Sequence, residues 1–181
     1  MNEKHALVIG GTGMLAKVTL WLADNHANVS VIGRTQKKHR DLIEKASDPA
    51  QLNNIAVDYY DLGALETKLK QAMDRYGPIT VAVCWSPFYP AVERICQVIS
   101  ERTDNWQLYH VKGSRRYFED EPLSVPASCQ YRSIYLGFVL TGNLSRWLTH
   151  DEIAGGIIEG VKKDEARVVV GTIHPYENRP R

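Results

Sequence analysis

The sequence predicts an α/β fold with a mostly parallel sheet of about seven strands between two layers of helices. Short apolar runs rich in β-branched residues alternate with amphipathic helical stretches through the first two thirds of the chain. The first apolar run leads directly into a glycine-rich turn and then into a helix. The length of 181 residues suits one domain, placed at residues 1–181. Right-handed crossovers between the strands then predict a three-layer αβα Rossmann fold with a doubly wound sheet.

The strands are predicted from apolar runs bounded by turn residues. Those runs are residues 6–9, 29–32, 54–58, 79–84, 106–111, 131–140 and 167–170. The turn before the second strand is predicted at residues 25–28, and an aromatic, proline-rich loop is predicted at residues 85–90.

The helices are predicted from apolar residues at a spacing of three or four. They begin near Met14, at Gln36, after an N-cap at Asp61, near Val92, and at a capping box of Thr149 and Glu152. Residues 119–127 contain two prolines and cannot form a long helix. Residues 174–181 form a polar tail that we expect to cross the surface or reach a subunit contact.

The glycine turn is the strongest functional signal. Gly10, Gly13 and Ala16 follow the spacing G-x-x-G-x-x-A, with Gly11 as a further small residue. Glycine permits a sharp turn and close approach of a ligand to the backbone, and the following helix presents free N–H groups to an anion. The strand–turn–helix context predicts binding of the pyrophosphate of a dinucleotide.

The end of the second strand predicts which dinucleotide is bound. Many dinucleotide folds place an acid there, which binds the ribose 2′-hydroxyl, but this chain has Gly33-Arg34 followed by Lys37 and Lys38. A cation at this point would attract the 2′-phosphate and favours NADP, with NAD as the alternative. Asp58, after the third strand, either reaches the adenine or caps the turn before Asp61.

Composition excludes several other classes of function. A net charge of +1 gives no electrostatic footprint for nucleic acid, and no apolar run is long enough to span a bilayer. The N-terminus leads straight into the first strand, so no secretory signal is expected. Three cysteines without a C-x-x-C pair suit reduced thiols in the cytoplasm, and no histidine pair has the spacing of a metal site.

These residues resemble the short-chain dehydrogenase/reductase family, in particular its atypical branch. The likeness rests on the turn from Gly10 to Ala16, Gly33-Arg34, Asp58, and Ser114 after the fifth strand. The resemblance implies NAD(P) binding and, in active members, hydride transfer to or from a carbonyl or alcohol. The predicted cofactor-binding residues are Gly10, Gly11, Thr12, Gly13, Met14, Leu15, Gly33, Arg34, Thr35, Asp58, Trp85 and Ser86.

The chain departs from this family in its catalytic half. Active members carry Tyr-x-x-x-Lys on a helix, with the tyrosine as general acid/base, but no tyrosine here has a lysine four residues later. Ser114 lies where the family's serine would be, with Lys112 and Tyr117 nearby. We predict these three as catalytic, with Tyr89 as an alternative acid. The competing interpretation is that Lys112 and His110 are ordinary strand residues and that Tyr117 packs against the sheet.

Two functional hypotheses follow. One is an NADP-dependent oxidoreductase acting on a small carbonyl or alcohol with non-standard catalytic residues. The other is a catalytically silent dinucleotide-binding sensor or regulatory module, which the absent Tyr-x-x-x-Lys pair favours. A mononucleotide or S-adenosylmethionine binder on the same fold is a third interpretation. A homo-oligomer is predicted through the apolar face of the helix after Thr149 and the strand at Val168.

Overall fold

The computed structural model describes residues 4–25 and 28–181. It therefore leaves most of the N-terminal stretch used for the signal prediction, and the middle of the turn predicted at residues 25–28, outside the described residues. Seven parallel strands form the sheet in the order β3-β2-β1-β4-β5-β6-β9. Their bounds are β1 His5–Ile9, β2 Asn28–Gly33, β3 Leu52–Ala56, β4 Ile79–Trp85, β5 Trp106–Gly113, β6 Cys129–Leu136 and β9 Arg167–Val170.

Helices cover both faces of the sheet, which confirms the predicted three-layer αβα Rossmann arrangement. In the described part of the chain they are α1 Ala16–Asn25, α2 Gln36–Lys45, α3 Leu62–Tyr76, α4 Tyr89–Ser100, α5 Arg115–Phe118 and α6 His150–Lys163. One core layer contains apolar side chains of α3 and α4, and the other those of α1, α2 and α6. None of the helices described is long and apolar enough to cross a membrane.

Strand order reverses between β1 and β4, because successive strands extend the sheet outward from this point in both directions. At such a reversal the loops on the two sides turn apart and leave a crevice at the carboxyl ends of the strands. The glycine turn leaves β1 at this crevice. The topology therefore positions the predicted site where open α/β sheets bind ligands.

The predicted third strand is shifted along the chain. We expected residues 54–58, whereas β3 runs from Leu52 to Ala56, so that Leu52 pairs with Val29 of β2. The chain turns after Val57, and the Asp58 carboxylate accepts the backbone N–H of Tyr60 at 3.0 Å. Asp58 thus makes the turn-capping contact, and its contact with an adenine stays a prediction.

The predicted sixth run, residues 131–140, is extended as expected but divides at Gly137 into two strands. Here β6 ends and a hairpin begins, formed by β7 (Phe138–Thr141) and β8 (Leu144–Trp147). A Cβ at Gly137 would lie 2.2 Å from the carbonyl oxygen of Thr172, so only glycine lets the C-terminal segment approach. The backbone N–H of Phe138 donates to the carbonyl oxygen of Thr172 at 2.9 Å, and the N–H of Thr172 donates to that of Phe138 at 2.8 Å. The two residues of this contact are far apart in sequence. Their pairing ends β6 at a point where the local sequence favours a longer strand.

No long helix forms between β5 and β6, as the prolines predicted. The segment contains the four-residue α5 and then extended chain. Leu123 and Val125 of this extended chain pack against the core layer of α3 and α4. The N–H of Ser124 donates to Glu93 of α4 at 3.0 Å. An extended segment thus covers the part of the sheet beside β5 and β6 on this face.

Candidate functional site

A cleft of about 320 Å³ opens beside the glycine turn at the carboxyl ends of β1, β2 and β4. We call it the glycine-turn cleft. Eight of the predicted cofactor-binding residues line it, together with Lys38, Ile32, Val57 and Tyr59. The eight are Gly10, Thr12, Gly13, Met14, Gly33, Arg34, Thr35 and Trp85.

The glycines of the turn have different roles. Gly10 has a φ of +82°, a conformation that disfavours side chains, and it packs under Trp85. Gly11 faces the core, where an added Cβ would lie 2.4 Å from the Thr19 hydroxyl. Gly13 lines the cleft, and a Cβ there would meet nothing within 4 Å. The absence of a side chain at Gly13 therefore leaves the backbone open to the cleft, just before the N-terminus of α1.

Four of the predicted cofactor-binding residues do not line this cleft. Gly11 and Leu15 are packed beneath the turn, where Leu15 is fully buried. Asp58 caps its own turn. The hydroxyl of Ser86 accepts the N–H of Phe88 at 3.1 Å, and Ser86 lines the next cavity along the sheet edge.

Two cations lie at the far end of the cleft. Arg34 and Lys38 line it directly after β2 and on the first turn of α2. A hydrogen bond of 3.0 Å between His39 Nε2 and the carbonyl oxygen of Gly33 ties α2 to the end of β2. Gly33 also admits Thr12 of the glycine turn, because a Cβ would come within 2.8 Å of its hydroxyl. Arg34, Lys38 and the glycine turn therefore all border the same cleft.

Three cavities follow one another along the carboxyl edge of the sheet. Trp85 lines both the glycine-turn cleft and a narrow cavity of about 50 Å³. Gly113 lines both the narrow cavity and a third cavity of about 390 Å³, which we call the hydroxyl cavity after Ser114 and Tyr176 in its lining. The three recesses therefore lie next to one another, from the cations after β2 to the end of β6.

Lys112, predicted as catalytic, is itself buried and forms an ion pair with the partly exposed side chain of Asp120. Its amine donates to Asp120 at 2.7 Å and to the Ser133 hydroxyl at 3.2 Å, and its side chain is only 4% exposed. The hydroxyl of Tyr89 donates to the same carboxylate. Burial raises the pKa of Asp120, but the hydrogen bonds from Lys112 and Tyr89 outweigh it and hold that pKa below its usual value. The pair stabilises the segment after α5.

Tyr117 and Lys112 are not brought together as a pair. The guanidinium of Arg167 lies 3.9 Å from the ring centre of Tyr117, and both Tyr117 and Lys112 contact the ring of Tyr135. Tyr117 is not among the residues that line the three cavities. Tyr89 does line the narrow cavity, but burial and its bond to Asp120 raise its pKa. The phenol of Tyr89 is therefore a weak acid.

Ser114, the third predicted catalytic residue, has a partner that the sequence analysis missed. Its hydroxyl lies 3.1 Å from that of Tyr176, in the C-terminal segment. Both residues line the hydroxyl cavity, with Leu136, Trp147, Leu148 and Ile153. The polar tail was predicted to cross the surface, but nothing local in the sequence links it with Ser114.

Buried ionisable groups near the row of cavities are held neutral. Burial and the nearby charge of Lys112 lower the pKa of His110 to about 4, and its Nδ1 is 2.7 Å from the Tyr131 hydroxyl. Burial raises the pKa of the Cys84 thiol to about 12. A thiol with that pKa is not a nucleophile at neutral pH. Among the described residues, no group of three His, Cys, Asp or Glu side chains could hold a metal ion.

Comparison with known proteins identifies the fold. No protein-family model and no curated protein matches the chain. A short-chain dehydrogenase from Bacillus anthracis is similar in structure, with a TM-score of 0.74 and 15% identity over 93% of this chain and 95% of that one. A short-chain dehydrogenase/reductase described as glucose/ribitol dehydrogenase, from Brucella melitensis, has a TM-score of 0.73 and 12% identity, over 94% and 96% of the two chains.

NAD⁺-bound xylitol dehydrogenase is also similar, with a TM-score of 0.63 and 10% identity over 78% of this chain and 72% of that one. At these identities the likeness establishes the fold alone. The chain has the fold of short-chain dehydrogenases/reductases, which confirms the resemblance seen in the glycine turn at the level of architecture.

Proposed function

We propose that the chain is an NADP-dependent oxidoreductase acting on a small carbonyl or alcohol compound. The observation that carries the proposal is the glycine-turn cleft, in which the open backbone at Gly13 and the cations Arg34 and Lys38 share one space. The positive end of the α1 helix dipole suits a pyrophosphate, and the guanidinium of Arg34 suits the 2′-phosphate of NADP. NADP, when bound, would supply hydride chemistry.

The row of cavities supports an extended ligand. A dinucleotide is long, with its phosphates in the middle, and the row passes the glycine turn between the cations and the hydroxyl cavity. The largely apolar lining of that cavity suits the exclusion of water from a reaction with a carbonyl group. Trp85, which lines both neighbouring recesses, would contact the ligand between them.

The second candidate is a catalytically silent module that binds the same dinucleotide. The observation that favours it is the commitment of Lys112 to Asp120, together with the packing of Tyr117 against Arg167. Both side chains thus make contacts that a structural role explains. Both candidates require dinucleotide binding, so the first experiment tests that step.

Thermal unfolding in the presence of NADPH, NADP, NADH, NAD and S-adenosylmethionine tests the site. At ~100 times its dissociation constant, the bound dinucleotide adds about 2.7 kcal/mol, which is roughly 5–11 °C for a protein of this size. Arg34→Asp is expected to abolish the preference for NADP over NAD. Lys37→Asp is the matched control, because Lys37 is exposed and does not line the cleft. No shift with any dinucleotide would refute the proposal.

Self-association and location are further proposals. The helix face predicted for a dimer is not free, because Ile153 and Ile157 of α6 lie in the core. The outer edge of β9 is the remaining part of that predicted contact. We expect a homo-oligomer by light scattering at micromolar concentration, and a monomer would refute this. A cytoplasmic location stays a prediction from the three free, buried cysteines.

A further inference from the structure

We propose that Tyr176, from the C-terminal segment, is the catalytic proton donor and that Ser114 assists it, in a cavity that takes a small, mainly apolar carbonyl compound. The proposal rests on the proposed function, since the hydroxyl cavity must receive the reacting end of the bound dinucleotide. It assigns a role to a residue that the sequence did not single out.

The two hydroxyls are held side by side. They are 3.1 Å apart, and Ser114 is buried at the end of β5 with 6% of its surface exposed. Tyr176 is fixed from both sides, because its ring packs against Phe118 at 4.6 Å between centres and lies under the guanidinium of Arg179 at 4.4 Å. A carbonyl oxygen that enters the cavity can therefore meet two donors.

The lining of the cavity indicates the class of substrate. Leu136, Leu148 and Ile153 contribute aliphatic side chains, and Trp147 contributes an indole. The volume of about 390 Å³ suits a small ligand. Arg115 is the charged residue of the lining and is exposed, so it marks the mouth. An aldehyde or ketone with an aliphatic or aromatic body fits this lining.

The other tyrosines near the row are engaged elsewhere. The hydroxyl of Tyr89 is bound to Asp120, and the ring of Tyr117 packs against Arg167 outside the three cavities. Tyr176 and Ser114 supply the side-chain hydroxyls in the lining of the hydroxyl cavity. Geometry therefore selects the tail tyrosine over the residues closer in sequence to Ser114.

Bound NADPH would supply a hydride to the carbonyl carbon, so that the carbonyl compound is reduced and NADPH is oxidised to NADP. As the C–H bond forms, the electron pair of the C=O π bond moves to oxygen. That oxygen takes the proton of Tyr176, whose O–H bond breaks, while Ser114 donates a hydrogen bond to the developing charge. The phenolate of Tyr176 regains its proton from water.

Chemical modification tests the placement without measuring turnover. Tetranitromethane nitrates accessible tyrosines, and mass spectrometry follows each site. At an NADPH concentration of ~100 times the dissociation constant, nitration of Tyr176 is expected to fall roughly tenfold or more, because nearly all sites are filled. Tyr76 is the control: it is likewise part-buried but ends α3, at the opposite edge of the sheet, and its nitration rate should not change.

Turnover then tests the chemical role, by NADPH oxidation with a panel of aliphatic and aromatic aldehydes and ketones. Tyr176→Phe is expected to lower kcat by ~10²–10⁴-fold. It should keep the wild-type NADPH-induced rise in Tm. Tyr76→Phe should leave both unchanged. Ser114→Ala is expected to lower kcat by ~10²-fold or more, as for loss of one donor to a developing oxyanion.

The outcomes separate this proposal from the proposed function. Without an NADPH-induced rise in Tm of the wild type, the proposed function fails, and this proposal with it. A rise in Tm without protection of Tyr176, or wild-type turnover by Tyr176→Phe, overturns this proposal alone. A wild type that binds NADPH but reduces no compound of the panel also overturns it, in favour of the silent module.

Discussion

The glycine turn allows fold and ligand binding to be perturbed separately. A Cβ at Gly11 would lie 2.4 Å from the Thr19 hydroxyl and 2.8 Å from a methyl group of Val8. The Thr19 hydroxyl is buried and donates to the carbonyl oxygen of Gly11 at 3.0 Å. We expect Gly11→Ala to lower the free energy of unfolding by ~1–3 kcal/mol through overpacking, with about 1 kcal/mol more if this bond is lost.

Gly13→Ala is the matched variant within the same turn. No atom lies within 4 Å of the added Cβ, and the backbone of Gly13 is not in the left-handed region. It should therefore fold with unchanged or slightly higher stability, by up to about 1 kcal/mol, because alanine restricts the unfolded chain. The added methyl group would occupy the cleft and weaken NADPH binding.

Urea unfolding, with and without saturating NADPH, measures both effects in each variant. Gly11→Ala should lose stability in the absence of ligand and still be stabilised by NADPH once folded. Gly13→Ala should keep its intrinsic stability and lose most of the NADPH-induced gain. If Gly13→Ala binds NADPH as the wild type does, the backbone at this position does not approach the ligand. The assignment of the cleft would then be refuted.

Two further predictions concern the core. Because the pKa of His110 is about 4 in the folded protein, against 6.5 unfolded, the unfolded chain binds the extra proton between these values. The contribution of His110 to the free energy of unfolding is then fully present above pH 6.5, and it falls by ~3 kcal/mol as the pH drops to about 4. His110→Gln should therefore reduce the loss of stability with falling pH, measured by urea unfolding at several pH values. An unchanged pH dependence would contradict the lowered pKa of His110. In α6, Gly156→Ala would put a Cβ 2.4 Å from a methyl group of Val170 and should cost ~1–3 kcal/mol, whereas Gly155→Ala meets nothing within 4 Å and should stabilise the helix by about 1 kcal/mol. Equal Tm values for these two variants would refute the packing described at Gly156.

Local signals in the sequence were sufficient for most of the architecture. Capping at Asp61 and Thr149, and the glycine after α3, place helix ends that depend on neighbouring residues only. The failures have a non-local cause. The sequence of residues 131–140 predicts one strand, but the strand ends just before Gly137. There the C-terminal segment packs against the chain through hydrogen bonds between Phe138 and Thr172. Propensity carries no information about a partner 34 positions away.

The candidate site divides along the same line. Most of the glycine-turn cleft is built from residues within a few positions of β1 and β2, so the motif and Arg34 predict most of its lining. The hydroxyl cavity is built from Ser114 and from a tyrosine 62 residues later. The sequence supplied Ser114 by resemblance and offered Tyr117 as its neighbour in the chain. The structure places Tyr176, and not Tyr117, in the lining of this cavity.

The glycine-turn cleft and the hydroxyl cavity, at the two ends of the carboxyl edge of the sheet, are stabilised in different ways. Each can therefore be altered with little effect on the structure of the other. Beside the glycine-turn cleft, β1, the turn and α1 are continuous chain. On the hydroxyl side, a four-residue helix is followed by extended chain, which the ion pair of Lys112 and Asp120 anchors to β5. Removing Asp120 would leave the buried ammonium of Lys112 with the Ser133 hydroxyl in place of a carboxylate, and should lower the free energy of unfolding. The extended segment, through Leu123 and Val125, packs against the core where a long helix could otherwise lie. A proton donor for the hydroxyl cavity must therefore arrive from elsewhere in the chain, and the C-terminal segment brings Tyr176 to it.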